Sequence, residues 1–569
     1  MGDAKLLSSV RTLAELPGNL LEQLATESEH VHLTSGEWLF RAGDPADSLF
    51  VIRSGRLEVL ADDHSEARIR ILKRGQTLGE LALLTGGTRT ASVRAVRDSE
   101  LIELGRDHFE SLLRDEPAFA VGLTGALGAQ LAASRAPSHE AVPPRVVSVL
   151  RVDPAAPTEF AEMLGGELAR HGSVAMLTKD QAGSRAQWNQ SLDRAERSTD
   201  RVLLVGDGSD SESEWNDFCA RETDLVVALT SGRPAPAWLA RNDILRDSEL
   251  VSTGLADSEL ARSAPRNTTV AGSDRLGAAA GSLARRLSGK AVGVVLSGGG
   301  ARAFAHLGAM EELIHSGLTI DRIAGVSMGS VVAAGIALGK TPEELSKEFD
   351  EGFVKENPTR DYTLPLFSLI RGRRAERLLR GLLGEARIEE LAIRYFSLSC
   401  DLISRQKVIH RYGPLFEAVR ASLSIPGIFP PVKTVDGRLL VDGGVLDNLP
   451  VSTMAADAEG PIIAIDVTGK MGGTLRAPRP RLAGLEQTAR RFLTGREYEL
   501  PRLPETIMRT LTVGSIDTVV EARKHADLLI QPEVEGCGML EWGQLESVRE
   551  AGRQAVLAEL ESVARVAGG

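Results

Sequence analysis

Three short glycine-containing segments in the second half of the chain carry residue types that could do chemistry. They lie at residues 298–302, 325–329 and 442–444, and the middle one has the pattern Gly-x-Ser-x-Gly with Ser327 at its centre. A serine hydroxyl attacks an acyl carbon when a base takes its proton and when donors stabilise the oxygen that becomes negatively charged. Because this pattern also occurs by chance, the other two segments have to show whether Ser327 is a nucleophile or a small turn residue.

The first segment is a loop of three glycines. Gly298, Gly299 and Gly300 follow an apolar run and precede a helix-like run, so their N–H groups can surround an anion. The anion is either the pyrophosphate of a dinucleotide or the oxyanion of an acyl-transfer reaction. A dinucleotide site expects an acidic residue near the end of the next strand, and here that strand ends in "GVSMG", residues 325–329. The pattern therefore favours the oxyanion.

Two strand–loop–helix units must position these segments. "AVGVVL" precedes the glycine loop and "IDRIAGV" leads into Ser327, and both are apolar runs typical of buried parallel strands. Because the carboxyl ends of parallel strands meet at one edge of a sheet, we expect the loop and Ser327 to lie side by side. Gly325 and Gly329 would permit the sharp turn of a nucleophile elbow.

The third segment supplies the best candidate for the base. An ordinary α/β-hydrolase has the order serine, acid, histidine, but His525 lies among polar helix-like residues and is expected to be a surface or capping histidine. Asp442 follows an apolar strand, and Gly443 and Gly444 after it let a backbone approach closely. A carboxylate that contacts Ser327 directly would form a two-residue Ser–Asp pair.

These three segments, in this order and spacing, resemble the signature blocks of the patatin-like phospholipases. "RASLSIPGIFPPV" (420–432) and "DNLPV" (447–451) strengthen the resemblance, and the block that begins with "DYTLPLFSLIRGRR" (361–374) is most similar to the neuropathy target esterase branch. The resemblance covers residues 290 to about 470. It implies a serine esterase that acts on the acyl chains of phospholipids or lysophospholipids without a metal or a catalytic cofactor.

The resemblance also assigns roles by position. It implies that Ser327 is the nucleophile and Asp442 the general base. The implied oxyanion loop consists of Gly298, Gly299, Gly300, Ala301 and Arg302, the elbow glycines are Gly325 and Gly329, and the acid motif includes Gly443 and Gly444. The family's loop usually ends in glycine where this chain has Ala303, which we interpret as an adjustment of shape.

Other conspicuous residues have simpler explanations. Asp447 and Asn448 are expected to close the turn after Asp442, and His306 and His315 are expected to pack rather than to catalyse. The basic segment "RGRRAERLLR", residues 371–380, is either a solvated helix face or a surface for anionic lipid headgroups.

A second group of candidate residues lies in the first half of the chain. "GQTLGELALLTGGTRTASVRA", residues 75–95, resembles the phosphate-binding cassette of cyclic nucleotide-binding domains, and residues 20–135 resemble the whole domain. The resemblance implies that Glu80 holds the ribose hydroxyl and Arg89 the phosphate of cAMP or cGMP. The other implied pocket residues are Gly79, Leu81, Ala82, Thr90 and Ala91. An Arg–Glu pair that is only structural stays an alternative, and the base preference is open.

The pattern of strands and turns predicts a multidomain protein. Residues 1–135 read as a β-barrel or jelly-roll-like module with closing helices, 136–145 as a linker, 146–289 as a parallel α/β domain and 290–569 as an α/β hydrolase domain with a helical tail. The middle domain has no phosphate-binding glycine loop after its first strand, so we expect it to be a connecting or regulatory domain.

Composition limits the partners. The net charge of −12 on 569 residues argues against a nucleic-acid partner, and three widely spaced cysteines fit a reducing cytosol. The sequence has no signal peptide and no transmembrane run, so we expect a cytoplasmic protein with peripheral contact at the inner membrane face. The predicted function is a serine lipid esterase regulated by a cyclic nucleotide. A non-catalytic cyclic-nucleotide-responsive lipid-binding protein and a lipid acyltransferase are alternatives, and the oligomeric state, including a homo-oligomer, is open.

Overall fold

The computed structural model describes residues 3–8, 10, 13, 16–60, 68–124, 143–208, 213–232, 248–254, 268–469 and 513–568, apart from positions 35, 74, 86, 118, 121, 271, 365, 366 and 535. The chain divides into two compact units. The first comprises Met1–Glu140, Pro144–Ala161 and Gly172–Glu249, and the second comprises Ala141–Pro143, Glu162–His171 and Leu250–Gly569. The finer division into four parts stays a prediction, and residues 136–142 of the predicted linker lie outside the described residues.

The first unit begins with an antiparallel β module. Its strands are β1 (Glu29–Leu33), β2 (Trp38–Phe40), β3 (Ser48–Leu60), β4 (Arg68–Lys73), β5 (Thr77–Leu78) and β6 (Ser92–Gly105). Its helices are α1 (Asp3–Leu7), α2 (Gly18–Glu27), α3 (Glu80–Thr85) and α4 (Arg106–Asp115). The strand order is β1-β6-β3-β4, with β2 paired to β6 and β5 to β3. Phe50, Ile52 and Leu57 of β3 are buried in one core, while Leu24 and Phe109 of the helices belong to another. The predicted jelly-roll-like module with closing helices is confirmed.

The unit continues with a parallel sheet. Its strands are β7 (Val146–Arg151), β8 (Val174–Leu177), β9 (Arg201–Val205) and β10 (Leu225–Thr230), in the order β10-β7-β9-β8. The helices between them in sequence are α5 (Phe160–Ala169), most of which belongs to the second unit, and α6 (Lys179–Ala182), α7 (Trp188–Ser198) and α8 (Glu214–Arg221). All four strands run parallel, as their apolar runs predict, and Trp188, Trp215 and Phe218 form an aromatic cluster with ring centroids 5.0–5.4 Å apart.

The second unit contains the sheet that positions the three glycine segments. A parallel pair, β11 (Glu249–Ser252) and β12 (Thr268–Val270), precedes it. The sheet's strands are β13 (Gly293–Leu296), β14 (Arg322–Gly325), β15 (Arg394–Asp401), β16 (Gln406–His410), β17 (Val432–Lys433), β18 (Leu439–Asp442), β19 (Ile462–Ile465) and β20 (Leu528–Ile530). Their order is β17-β18-β15-β14-β13-β19-β20, with β16 paired to β15. The neighbours β15, β14, β13, β19 and β20 are parallel, while β16 and β18 run antiparallel to β15.

Helices cover this sheet. They are α9 (Leu276–Leu287), α10 (Phe304–His315), α11 (Met328–Ala337), α12 (Pro342–Phe349), α13 (Arg373–Leu383), α14 (Leu415–Ser422), α15 (Val451–Ala455), α16 (Ile516–His525), α17 (Leu545–Leu557) and α18 (Leu560–Gly568). Every residue of α11 is buried, which places this helix in the core rather than on the surface. The predicted α/β hydrolase architecture is confirmed. In the part of the chain that the structure describes, no helix has the length and apolarity needed to cross a bilayer.

Candidate active site

Ser327 occupies a strained turn between a strand and a helix. It follows the end of β14 directly and precedes α11, with φ of 53° and ψ of −129°, in the left-handed half of the backbone map that non-glycine residues rarely adopt. A Cβ at Gly325 would lie 2.4 Å from the backbone of Gly329, and a Cβ at Gly329 would lie 2.5 Å from the carbonyl oxygen of Ser297. Both positions therefore require glycine, as the elbow pattern predicts.

Asp442 lies at the height of Ser327 because of the strand register. Gly325 pairs with Ser397 on β15, and Asp442 pairs with Ser399, two residues further toward the carboxyl edge. Ser327 is also two residues beyond Gly325, so the serine and the aspartate reach the same level of the sheet. The Ser327 side chain interacts with the Asp442 carboxylate closely enough to lower the pKa of that carboxylate.

The environment of Asp442 is dry. Its side chain is buried, and its carboxylate also accepts a hydrogen bond of 2.8 Å from the N–H of Gly444. Burial raises the pKa of Asp442 to about 6, while the interaction with Ser327 and the hydrogen bond from Gly444 act in the opposite direction. A carboxylate with this pKa is ionised at neutral pH and is a stronger base than an exposed aspartate.

The glycine loop lies against Ser327. A Cβ at Gly298 would be 3.1 Å from the Cβ of Ser327. Most amides of the loop are already occupied, since the N–H of Ala301 donates to the Met539 carbonyl at 2.8 Å and that of Arg302 donates to Gly299 at 3.2 Å. No residue that the structure describes accepts a hydrogen bond from the N–H of Gly299 or Gly300. These two amides are the donors left for a ligand.

The remaining residues of the glycine loop and the acid motif fit the positions that the sequence predicts for them. The Arg302 side chain donates to the Cys537 carbonyl at 2.7 Å and to the Thr468 carbonyl at 3.2 Å. Gly443 has no room for a side chain, because a Cβ there would lie 2.5 Å from the Leu398 carbonyl oxygen. Ala303 has a φ of −65°, a value that any residue adopts, so the loop takes alanine without backbone strain.

Two side chains that sequence reasoning did not assign to the site connect its parts. The N–H of Ser327 donates to the Ser422 hydroxyl at 3.0 Å, at the end of α14. The Asn448 amide donates to the carbonyl of Gly298 at 3.1 Å, so it links the aspartate turn to the glycine loop. This bond gives Asn448 a structural role that reaches beyond its own turn. Asp447 accepts from the Leu449 N–H and pairs with Lys407 at 3.0 Å. The only signal for Ser422 was its place inside the quoted "RASLSIPGIFPPV" block.

The predicted cyclic nucleotide residues lie together in the β module. Gly79 has a φ of +95°, and a Cβ there would lie 2.5 Å from the Arg89 guanidinium. Arg89 is buried, its carbon Cζ lies 4.2 Å from the Phe40 ring centroid, and one terminal nitrogen donates to the Ser48 carbonyl at 2.9 Å. Burial lowers the pKa of Arg89, with Asp47 acting against that effect.

Arg89 still has unused hydrogen-bonding capacity. Its Nε is buried and has no hydrogen-bond partner among the described residues. Glu80 is buried at the start of α3, and Ala82, two residues later, is also buried. Leu81 and Thr90 are exposed, and Ala91 is half-buried. Of the predicted pocket residues, the structure thus brings Gly79 and Arg89 into direct proximity.

Comparison with known proteins agrees with both halves of this description. Residues 294–455 match the family model of the patatin-like phospholipases, and residues 30–116 match that of the cyclic nucleotide-binding domain. The chain is 35% identical to an uncharacterised NTE family protein of Mycobacterium tuberculosis, over 98% of this chain and 96% of the relative. The chain belongs to the NTE family. The predicted membership of the neuropathy target esterase branch is therefore confirmed, and with it a lipid carboxylic ester hydrolase of the patatin-like type.

Longer relatives and solved structures are also similar. The chain is 26% identical to the Lysophospholipase NTE1 of Pyricularia oryzae, over 96% of this chain but only 43% of that protein. The regulatory domain of Toxoplasma gondii PKA, crystallised with cAMP, is 28% identical with a TM-score of 0.19, and the match covers 20% of this chain and 44% of that one.

Among the residues that the structure describes, no histidine forms a hydrogen bond with Asp442 of this NTE family protein. His306 is fully buried, its Nε2 lies 2.8 Å from the Ser297 carbonyl oxygen, and burial lowers its pKa to about 4. His315, which was expected to pack, is exposed at the end of α10, so that expectation was wrong. His525 is also exposed, and its Nδ1 lies 2.9 Å from the Glu521 carbonyl oxygen, as expected for a surface histidine.

An apolar pocket opens beside the glycine loop and the first residue of α11. Its lining is almost entirely apolar apart from one arginine, and it includes Gly300 and Met328. The other residues that line it are Phe353, Pro358, Ala375, Leu378, Leu379, Arg420, Leu423, Ile425, Phe429, Leu540 and Trp542. A pocket of this composition next to Ser327 suits a hydrocarbon chain.

Proposed function

We propose that this NTE family protein hydrolyses acyl esters of phospholipids or lysophospholipids with Ser327 as nucleophile and Asp442 as general base. The observation that carries the proposal is the strand register that brings the buried Asp442 carboxylate to the level of the strained Ser327 turn, where the two side chains interact. The apolar pocket beside Gly300 supports a lipid acyl chain as the group that is transferred.

In the first step, the Ser327 oxygen bonds to the acyl carbon as Asp442 takes the hydroxyl proton. The carbonyl oxygen becomes an oxyanion, and the N–H groups of Gly299 and Gly300, which have no described acceptor, are the donors that we assign to it. The proton on Asp442 then passes to the leaving alkoxide oxygen as the ester C–O bond breaks. The products are an acyl-serine and the deacylated lipid alcohol.

In the second step, water replaces the alcohol. Asp442, again ionised, takes a proton from water while the water oxygen bonds to the acyl carbon. Collapse of this second oxyanion breaks the bond to Ser327, whose oxygen regains the proton from Asp442, and the fatty acid leaves. An acceptor alcohol in place of water would give acyl transfer by the same residues, which keeps the acyltransferase alternative testable.

We further propose that the β module binds cAMP or cGMP and regulates the esterase. The buried Nε of Arg89, which has no hydrogen-bond partner among the described residues, supports a contact to the anionic phosphate, because an unpaired buried donor is costly without a ligand. Glu80 would accept from the ribose 2′-hydroxyl. We also propose that the protein works in a reducing cytoplasm, for which its three buried, free cysteines are the support. Peripheral membrane contact is a further part of the proposal.

A fluorophosphonate probe with mass spectrometry tests the catalytic proposal. We expect labelling at Ser327 in the wild-type chain, and loss of labelling in both Ser327→Ala and Asp442→Ala. Ser316→Ala, which removes a hydroxyl that bonds only the Leu313 carbonyl on the same helix, is the matched control and should label normally. A folded wild-type protein that takes no label would instead support the non-catalytic lipid-binding alternative.

Release of fatty acid separates the remaining alternatives. With a radiolabelled lysophospholipid, hydrolysis yields free fatty acid in proportion to the substrate consumed. Transfer to an added acceptor lipid with little free fatty acid would identify an acyltransferase instead.

A further inference from the structure

A short hairpin before α13 presents apolar side chains to solvent. Its two limbs, residues 361–364 and 367–371, are joined by a bridge between Tyr362 and Ile370. The N–H of Thr363 donates to the Leu369 carbonyl at 3.0 Å, and the N–H of Arg371 donates to the Asp361 carbonyl at 2.7 Å. We call these two limbs the apolar hairpin.

The outer residues of the apolar hairpin are among the most exposed large apolar side chains of the described residues. Tyr362 is 72% exposed, Leu364 80% and Phe367 83%. Exposed apolar groups clustered on one short segment are typical of a surface that binds another apolar phase. Two further exposed side chains, Ile403 and Val435, lie in turns that extend beyond the carboxyl edge of the sheet, the edge that carries Ser327.

The apolar hairpin is followed directly by positive charge. Arg371, Arg373, Arg374 and Arg377 are all exposed, and none of them forms an ion pair with a residue that the structure describes. The combination of protruding apolar residues with unpaired arginines is complementary to a membrane surface that contains anionic headgroups. A protein partner would not by itself require both features.

The inner residues of the apolar hairpin connect it to the apolar pocket beside Gly300 and Met328, which we call the acyl pocket. Leu369 and Ile370 donate backbone hydrogen bonds to Gly427 and Ile428, at 2.8 and 3.0 Å. Ile370 packs in one cluster with Ile425, Ile428 and Phe429. Ile425 and Phe429 line the apolar pocket, and so do Ala375, Leu378 and Leu379 of α13. The limbs of the hairpin and the pocket therefore share one wall.

We propose that the apolar hairpin and the arginines of residues 371–377 dock the protein onto an anionic lipid surface and bring a lipid to the mouth of the acyl pocket. This inference rests on the proposed function for the identity of the ligand in that pocket. Phe367 and Leu364 enter the acyl region of the leaflet, and the arginines stay among the headgroups.

The test compares binding to vesicles with hydrolysis of a small soluble ester. The full chain carrying Ser327→Ala, which leaves the vesicles intact, is sedimented with vesicles of phosphatidylcholine with or without phosphatidylglycerol. We expect binding that needs phosphatidylglycerol and weakens as salt is added. Adding Leu364→Asp and Phe367→Asp should weaken it by at least about tenfold, because each charge removes buried apolar area and is repelled by the lipid.

Two further variants make the result specific. Ile314→Asp is the matched control, since Ile314 is an exposed apolar residue near the end of α10, a helix that runs back toward the opposite edge of the sheet, and it should bind vesicles normally. Arg373→Glu should weaken binding only to vesicles that contain phosphatidylglycerol. In the Ser327 background, all hairpin variants should hydrolyse a short p-nitrophenyl ester at the wild-type rate, which also shows that they are folded.

Three outcomes would overturn the proposal. If the Ser327→Ala chain with an intact hairpin binds vesicles of neither composition, the hairpin does not dock onto lipid and a protein partner or a second copy of the chain would have to cover it. Hairpin variants that bind vesicles as tightly as the control would exclude it as the docking surface. Loss of soluble ester hydrolysis in Leu364→Asp would show that the hairpin shapes the pocket instead. Vesicle binding without any ester hydrolysis would contradict the proposed function but not the docking surface.

Discussion

Asp442 combines burial with a role that requires charge, and this combination sets the pH dependence of the proposed reaction. Burial raises its pKa to about 6, and only the ionised carboxylate can accept the proton of Ser327. We therefore expect kcat/KM for a short soluble ester to fall as the pH drops below about 6 and to level off above it. A pH–rate profile measures this directly. A profile that is flat through that pH would contradict Asp442 as the base.

The same burial has a cost in stability. A pKa that is higher in the folded than in the unfolded chain means that stability is present below the unfolded pKa of 3.8 and is lost as the pH rises through about 6. At neutral pH the penalty is on the order of 3 kcal/mol. We expect Asp442→Asn to be inactive but to raise the thermal unfolding midpoint at neutral pH, because the amide can still accept from Gly444 without a charge.

Asp447→Asn is the control for this prediction. It removes the ion-pair partner of Lys407 and should therefore lower the thermal unfolding midpoint. Repeating both measurements below the unfolded pKa of aspartate should abolish the gain for Asp442→Asn. If Asp442→Asn is destabilising at neutral pH, the burial penalty is not what dominates at this residue.

Among the elements, α14 and the segment after it contact both members of the proposed pair. The Ser422 hydroxyl accepts from the N–H of Ser327, and the Ser424 carbonyl accepts from the N–H of Asp442 at 2.9 Å. We infer that Ser422 is a positioning residue that holds the strained turn. Ser422→Ala leaves a buried amide unsatisfied, so we expect kcat to fall by about tenfold or more with little change in KM.

Ser424→Ala is the matched control for that prediction. Its hydroxyl bonds Arg420 rather than the proposed pair, and its contact with Asp442 uses the backbone, so the catalytic rate should change less. The rate of fluorophosphonate labelling is the discriminating readout, because it reports the reactivity of Ser327 itself. Equal effects of the two substitutions on that rate would point to a general loss of packing.

Sequence patterns over a few residues predicted the strands, the glycine loop and the nucleophile elbow, because each of these structures is determined by residues that are neighbours in the sequence. The requirement for glycine at 325 and 329 follows from a turn of a few residues. The bonds made by Ser422 and Asn448 span 95 and 150 residues, so no local pattern could reveal them. Asp442 was found from its strand and glycines, but its height relative to Ser327 follows from the pairing of β18 with β15.

At the scale of the whole molecule, the β module and the hydrolase sheet belong to separate compact units. Regulation of the esterase by a cyclic nucleotide therefore requires, as a first step, that the β module binds the nucleotide. Arg89→Lys keeps the positive charge but loses the planar fork that binds a phosphate. We expect at least about tenfold weaker binding of cAMP or cGMP to the full chain by titration calorimetry. Arg94→Lys is the matched control, since Arg94 of β6 forms an ion pair with Glu58 of β3, and this variant should bind normally. Unchanged binding in Arg89→Lys would remove Arg89 from the site.

Regulation is a free energy shared by two sites, so it has to appear at both. If a saturating cyclic nucleotide changes the affinity for a lysophospholipid by some factor, the lipid must change the affinity for the nucleotide by the same factor, for allosteric proteins typically about 5- to 150-fold. We expect this reciprocity for the Ser327→Ala chain, in which binding is measured without turnover, and its loss in Arg89→Lys. The wild-type esterase rate should respond to the nucleotide in parallel. A nucleotide that binds but leaves both substrate affinity and esterase rate unchanged would mean that the β module responds to its ligand without controlling Ser327.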